Sequence, residues 1–262
     1  MGRRLGQHFL FTDSILDKIA LAACPRPEAL VVEIGPGPGG LTSHLAPRCQ
    51  RLIAVELDTA LAQGIRVRFG PDSGVEVVEG DVLGIDLAQW GEAVVCGNLP
   101  YYITSPIIEK VLALGPVVKR AVFLVQKEVA ERITAKPGSR DYGYLSVSVQ
   151  ARAQAERLFA VKAAAFRPPP KVDSAVIRLT PIAGTGLDPA DMAGFLRFAG
   201  LCFHMKRKTL KNNLAAAYPA ALIGGLPEAG LRAEQLSVAQ LSALYRLLRN
   251  AIEAGAWIEP VY

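Results

Sequence analysis

The sequence predicts an α/β fold, an open and mostly parallel sheet followed by a smaller, all-helical C-terminal domain. Three observations carry this expectation. Short apolar runs at 30–34, 51–56 and 75–81, and another beginning at Ala93, have the length and β-branched content of strands buried on both faces. The first is followed by the glycine turn Gly35-Pro36-Gly37-Pro38-Gly39-Gly40, and the next two end in Glu56 and Asp81. After Thr180-Pro181 the strand pattern stops and only helical periodicity remains. A boundary near residue 184 divides the chain into 1–184 and 185–262.

The elements follow in order. Arg3-Arg4-Leu5-Gly6-Gln7-His8-Phe9-Leu10 is a short basic arm. Thr12 or Asp13 caps a helix to about Ala22, with Ile15, Leu16, Ile19 and Ala20 on one face. A helix starts near Leu41, after the glycine turn. Thr104 or Ser105, with Pro106 in the first turn, opens a helix to about Leu114. A fifth strand at 121–126 leads to a helix at 127–134, and residues 144–154 read as another. Late strands are expected near 156–161 and 174–179. Asp188-Pro189-Ala190-Asp191 opens the helical tail, and Ser237-Val238-Ala239-Gln240 is a capping box before the last helix.

A glycine turn between strand and helix lets a ligand approach the backbone closely. These glycines satisfy G-x-G-x-G and also, as Gly35, Gly37 and Gly40, the dinucleotide pattern G-x-G-x-x-G. The turn therefore leaves S-adenosylmethionine and NAD both open. Glu56, about 20 residues on, stands where a ribose diol would be held. Asp81 stands where a carboxylate can accept from a cofactor adenine amine.

Asn98-Leu99-Pro100-Tyr101 ends the strand beginning at Ala93, and open α/β sheets bind ligands at such carboxyl ends. Alone, the tetrapeptide fits an ordinary strand-to-helix turn. After three strands ending in a glycine loop and two acids, it suits methyl transfer to an amino group on a flat ring. The adenine N6 lone pair is delocalised into the ring. The Asn98 side-chain oxygen and a backbone carbonyl near Pro100 can accept its two hydrogens and free the lone pair for attack. Pro100 fixes its own φ and restricts Leu99. Tyr101 offers a face for the base to stack on. Phe166, in the stiff segment Phe166-Arg167-Pro168-Pro169-Pro170-Lys171-Val172-Asp173, is a candidate for covering the base's second face.

Composition narrows the setting. With 51% hydrophobic and 20% charged residues the chain can bury a large core. A net charge of +5 and a pI of about 9.1 favour a polyanionic partner. Cys24, Cys49, Cys96 and Cys202 have no C-x-x-C spacing and read as buried thiols in a reducing compartment. No apolar run has transmembrane length and Met1-Gly2-Arg3-Arg4 leads into no signal core, so a cytoplasmic protein away from membranes is expected. His204-Met205-Lys206-Arg207-Lys208-Thr209-Leu210-Lys211 reads as a basic helical segment, with Arg207 and Lys211 on one face for RNA phosphates. The loop at 136–143 is also basic.

Five segments together resemble the rRNA adenine N6,N6-dimethyltransferases, most strongly those acting on 16S rRNA. They are Gly6-Gln7-His8-Phe9-Leu10, Glu33-Ile34-Gly35-Pro36-Gly37, Asn98-Leu99-Pro100-Tyr101, Phe166 through Ser174, and Lys206-Arg207-Lys208-Thr209-Leu210. The resemblance implies a class I methyltransferase domain, with a Rossmann-like seven-stranded sheet whose last strand is antiparallel, plus a small helical RNA-binding domain. It implies S-adenosylmethionine as cofactor, held by His8, Leu10, Gly35, Gly37, Glu56, Asp81 and Asn98, and no metal. Asn98, Leu99, Pro100, Tyr101 and Phe166 are then the catalytic set, and Arg3, Arg4, Lys206, Arg207, Lys208 and Lys211 the RNA contacts. The implied substrate is a pair of adjacent adenines in the 3′-terminal hairpin of small-subunit rRNA, within a 30S assembly particle, and the implied protein is monomeric. Two other readings compete: a large-subunit rRNA methyltransferase of the macrolide-resistance type, and a non-catalytic assembly factor on the same fold. Leu99 and the basic segment argue against the first, an intact Asn98-Leu99-Pro100-Tyr101 against the second.

Overall fold

The apolar runs become strands in the computed structural model, which describes residues 8–182, 187 and 189–256. In chain order the first elements are β1 (Phe9–Leu10), α1 (Asp13–Ala23), β2 (Glu28–Ile34), α2 (Gly40–Leu45), β3 (Cys49–Glu56), α3 (Thr59–Phe69), β4 (Val75–Glu79) and β5 (Ala93–Asn98). Then come α4 (Thr104–Ala113), β6 (Val118–Gln126), α5 (Lys127–Ile133), α6 (Tyr144–Gln150), β7 (Ala153–Val161), β8 (Phe166–Arg167) and β9 (Ser174–Pro181). The tail contains α7 (Met192–Cys202), α8 (Leu210–Leu214), α9 (Ala220–Gly224) and α10 (Val238–Ala251). Asp81 lies just past β4, and Gln154, read from the sequence as helical, is in a strand.

Seven strands form one sheet in the order β4-β3-β2-β5-β6-β9-β7. Neighbours from β4 to β6 are parallel, while β9 runs antiparallel between β6 and β7. β1 and β8 form a separate two-stranded ladder, with Phe9 opposite Arg167 and Leu10 opposite Phe166. The strand order reverses between β2 and β5, and the chain exits those strands to opposite sides, which opens a crevice at their carboxyl ends. Gly97 makes this crossing possible: a β-carbon there would sit 2.4 Å from the Ile34 carbonyl oxygen.

Helix N-termini depart from expectation, first at α1, where Thr12 holds the N-cap position but makes no side-chain cap bond. Thr104 does not cap its helix; its hydroxyl donates to the Pro100 carbonyl at 3.0 Å, and Ile103 holds the N-cap position. Asp188, expected to open the helical tail, lies outside the described residues; Asp191 stands at the N-cap position of α7 without a cap bond and pairs with Arg249. Ser237 and Gln240 do form the capping box of α10.

The chain forms two compact units, one through Glu131 with Ala153–Pro181, the other Arg132–Arg152 with the chain from Ile182 onward. This corrects the expectation of one cut near 184, because the segment from Arg132 crosses into the helical unit before the sheet is complete. Its apolar residues explain why: Tyr142, Val147 and Ala151 are buried in one cluster with Phe195, Phe198, Leu214 and Leu241. All four cysteines are free, with Cys24, Cys96 and Cys202 buried and Cys49 half-buried. No helix of the described residues is long and apolar enough to cross a membrane.

Gly97→Ala is expected to lower folding stability by about 1–3 kcal/mol, because a methyl group must displace backbone rather than a mobile side chain. A denaturant midpoint equal to wild type would show that β2 and β5 part without penalty.

Candidate active site

The crevice where the strand order reverses contains a cleft of about 780 Å³, counted to its open mouth. Its walls bring together His8, Gly35, Gly37, Glu56, Asp81, Asn98, Leu99, Pro100 and Tyr101, residues spread over more than ninety positions of sequence. Parallel strands explain the gathering, since β2, β3 and β5 end side by side and the acid after β4 lies next to them.

The carboxylates are oriented by backbone donors. Glu56 is buried; its Oε2 accepts from Gly37 N–H at 2.9 Å and its Oε1 from Asp58 N–H at 3.0 Å. Gly37 has φ +57°, and a β-carbon there would meet the Phe9 ring at 2.8 Å, so the loop lies tight against β1. Asp81 is exposed; its Oδ1 accepts from Leu83 N–H at 2.9 Å. Sequence reasoning missed the apolar lining, Leu57 and Val82 immediately after the two acids and Tyr102 after Tyr101. Leu57 is 49% and Tyr102 59% exposed. The signal was an apolar residue directly after each strand-end acid. Open carboxylate lone pairs beside apolar walls suit a nucleoside, whose hydroxyls and amine need acceptors and whose flat ring needs cover.

The Asn98 turn is held from several sides. Asn98 Nδ2 donates to the His8 carbonyl at 2.9 Å. A carbonyl only accepts, so this bond fixes the amide orientation and leaves Oδ1 as the free acceptor. The Pro100 carbonyl accepts from Ile103 N–H at 3.2 Å and from the Thr104 hydroxyl. Among the described residues no hydrogen bond ends on the Leu99 carbonyl, which makes it the open backbone acceptor of the turn. Tyr101 shares a 2.7 Å bond with Ser174 Oγ, and burial pushes its phenol up, so it stays neutral. The His8 ring stacks against Tyr101 with centroids 5.8 Å apart, and its Nδ1 donates to the Pro168 carbonyl at 2.7 Å.

Three candidates move. Phe166 is 1% exposed and packs with Leu10 and Leu16 in the core, so it does not line the cleft. In the β1–β8 ladder Phe166 takes the inner side with Leu10, and its neighbour Arg167 takes the outer. Leu10 also turns inward, bordering only a smaller recess shared with Glu33, Gly35, Pro36 and Asn98. The basic segment is not a helix: Lys206, Arg207 and Lys208 lie in a turn closed by Lys208 N–H to the Met205 carbonyl at 2.9 Å, and only Lys211 is in α8. The turn is pinned by buried Asn213, which donates to the Cys202 and Met205 carbonyls and accepts from Met205 N–H. Lys206 Nζ donates to the Arg140 carbonyl at 2.7 Å, tying the turn to the basic loop at 136–143. Lys206, Arg207, Lys208 and Lys211 are all exposed. Arg3 and Arg4 lie outside the described residues. No cluster of metal-ligating side chains occurs among the described residues.

Comparison with known proteins follows the same lines. A dimethyladenosine transferase from Plasmodium falciparum superposes with a TM-score of 0.80 at 27% identity, covering 95% of this chain and 98% of that one. The 23S rRNA methyltransferase ErmE gives 0.73 at 29% identity, covering 92% and 99%. The fold is therefore that of a class I methyltransferase. The family model for ribosomal RNA adenine dimethylase matches residues 2–246. A ribosomal RNA small subunit methyltransferase A from Acidobacterium capsulatum is 47% identical over 94% of this chain and 91% of the relative. One from Chlorobium chlorochromatii is 43% identical over 96% and 95%. The chain belongs to the ribosomal RNA adenine dimethylase family and is an rRNA adenine dimethyltransferase.

Glu33 adds a pH dependence. It is 1% exposed, its Oε2 has no hydrogen-bond partner among the described residues, and burial pushes its carboxyl from 4.5 up to about 8; the Thr42 hydroxyl opposes the shift and the Glu56 charge adds to it. The native state thus holds a proton that the unfolded chain releases near 4.5, so this contribution to stability is lost as pH rises from about 5 through 8. Glu33→Gln is expected to flatten that decline in thermal midpoint; parallel curves for the two proteins would contradict it.

Proposed function

We propose that the protein dimethylates N6 of two adjacent adenines in the 3′-terminal hairpin of small-subunit rRNA, using S-adenosylmethionine, during ribosome assembly. The observation that carries this reading is the paired free acceptors of the Asn98 turn. Asn98 Oδ1 is left open by the bond of its amide to His8, and the Leu99 carbonyl is left open because Pro100 takes the donors of the following helix. Two acceptors on adjacent residues match the two hydrogens of an exocyclic amine. The small-subunit relatives support the choice of rRNA, and the 136–143 loop with the Lys206–Lys208 turn supplies cations for its phosphates.

The residues of the cleft fit the cofactor proposed. Glu56 stands ready for the ribose hydroxyls, Asp81 for the adenine amine, and Leu57 and Val82 for the ring faces. When bound, S-adenosylmethionine supplies an activated methyl on a sulfonium. The protein's task is then alignment and exclusion of water. The adenine must leave its helix to reach Asn98. Asn98 and Leu99 orient N6 and rotate its lone pair out of conjugation, Tyr101 supports the ring, and the proton is lost after transfer. For the second transfer the amine has one N–H left, so one of the two acceptors orients it while the first methyl takes the place of the other hydrogen. We also propose that the enzyme works as a monomer on a 30S assembly particle in the cytoplasm.

Mass spectrometry of rRNA from undermethylated 30S particles, incubated with protein and S-adenosylmethionine, tests the reading. Two dimethylated adjacent adenines near the 3′ end are expected. Methylation of large-subunit RNA instead, the activity named for ErmE, would overturn it.

Glu56→Ala is expected to weaken S-adenosylmethionine binding by about 1.5–3 kcal/mol through lost charge-assisted bonds, measured by calorimetry. Unchanged affinity would remove Glu56 from the ribose site. Asn98→Ala is expected to slow single-turnover methylation roughly 10²–10³-fold with cofactor and RNA both saturating, as for loss of one preorganised polar group. A near-normal rate would make this turn purely structural.

A further inference from the structure

The β1–β8 ladder sorts its side chains by face. Leu10 and Phe166, register partners, are buried in the core. Phe9 and Arg167, the other partners, take the opposite face, where the Phe9 ring lies against Gly37 and lines the cleft. Phe11, two residues on, holds the Arg167 guanidinium over its ring, 4.1 Å from the centroid. Arg167 is exposed and Phe11 44% exposed, so the stack stands at the surface beside the cleft.

Among the described residues this guanidinium has no other partner. No hydrogen bond or ion pair to any described residue uses its N–H edge. Asp173, on the same segment, is engaged by Lys162 Nζ at 2.9 Å and Ala163 N–H at 3.1 Å. The cation sits over the face of the Phe11 ring, and its N–H donors, unused by any described residue, can take two oxygens of a phosphate at once.

We propose that Arg167, held over the Phe11 ring, binds a backbone phosphate of the RNA next to the extruded adenine. The proposal rests on the functional reading above. An extruded nucleotide stays joined to its flanking phosphates, so a base seated at Asn98 carries them to the rim of the cleft. Arg167 is in one hydrogen-bonded frame with Asn98. The Pro168 carbonyl accepts from His8 Nδ1, and the His8 carbonyl accepts from Asn98 Nδ2. The phosphate anchor and the oxygen that orients N6 thus keep a fixed relation. Neither Arg167 nor Phe11 lines the cleft or its adjoining recess, which makes RNA rather than the cofactor carboxylate the occupant.

The test compares wild type, Arg167→Ala, Arg167→Lys and Phe11→Ala. Binding to undermethylated 30S particles is measured from 50 to 200 mM salt, and S-adenosylmethionine binding by calorimetry without RNA. Arg167→Ala is expected to bind several-fold more weakly at low salt and to lower the salt slope by about 0.7–0.9, one phosphate's worth. Its KM for particles should rise with kcat retained, and its cofactor affinity should match wild type. Arg167→Lys keeps the charge and the slope but loses affinity with the bidentate geometry; Phe11→Ala loses affinity at the same slope. A wild-type slope in Arg167→Ala, wild-type affinity in Arg167→Lys, or a parallel loss of cofactor binding would each overturn the assignment. Wild-type protein that neither methylates the particles nor binds them salt-dependently would overturn the functional reading beneath it.

Discussion

The site depends on the reversal of strand order between β2 and β5. At that one place two parallel strands send their chains to opposite sides, and the space between the departing chains becomes the cleft. The reversal requires backbones close enough that a side chain at position 97 is excluded, which is why a glycine directly precedes Asn98. The glycine turn after β2 and the Asn98 turn after β5 then face each other across the crevice. Glu56 closes the third side, with its carboxylate held by the Gly37 and Asp58 amides.

Around this crevice, neutral hydrogen bonds do the positioning. Asn98 is oriented by a backbone carbonyl from β1's approach, Tyr101 by Ser174 at the start of β9, and the Pro100 carbonyl by Thr104. Each of these bonds removes one alternative partner, and among the described residues nothing donates to Asn98 Oδ1 or the Leu99 carbonyl. A site for methyl transfer needs little more than such alignment, because the donor is already activated. The β1–β8 ladder therefore has two tasks: it holds His8 against Asn98, and it presents Arg167 outward.

The helical unit distributes its cations differently from a charged helix face. Asn213 satisfies three backbone groups and so stabilises a turn where helical spacing had suggested continuity. Lys206 is tied to the loop carrying Arg140, and it stays exposed together with Arg207, Lys208 and Lys211. A positive patch built from two segments distant in sequence is thereby gathered in one compact unit.

The sequence by itself determined the strands of the parallel sheet, the glycine turn, the two strand-end acids and the Asn98 turn. These depend on local hydrophobic periodicity and on residue types whose backbone behaviour is intrinsic. Only the tertiary structure decided which face each residue of a short strand presents. Phe166 went inward and Arg167 outward because a two-residue strand carries no alternation to read, and its pairing with β1 set the faces. The same holds for Arg132–Arg152, whose place in the helical unit follows from long-range burial of Tyr142 and Val147 rather than from any composition shift. Asp191 likewise pairs with Arg249, a partner distant in sequence that the fold alone brought near.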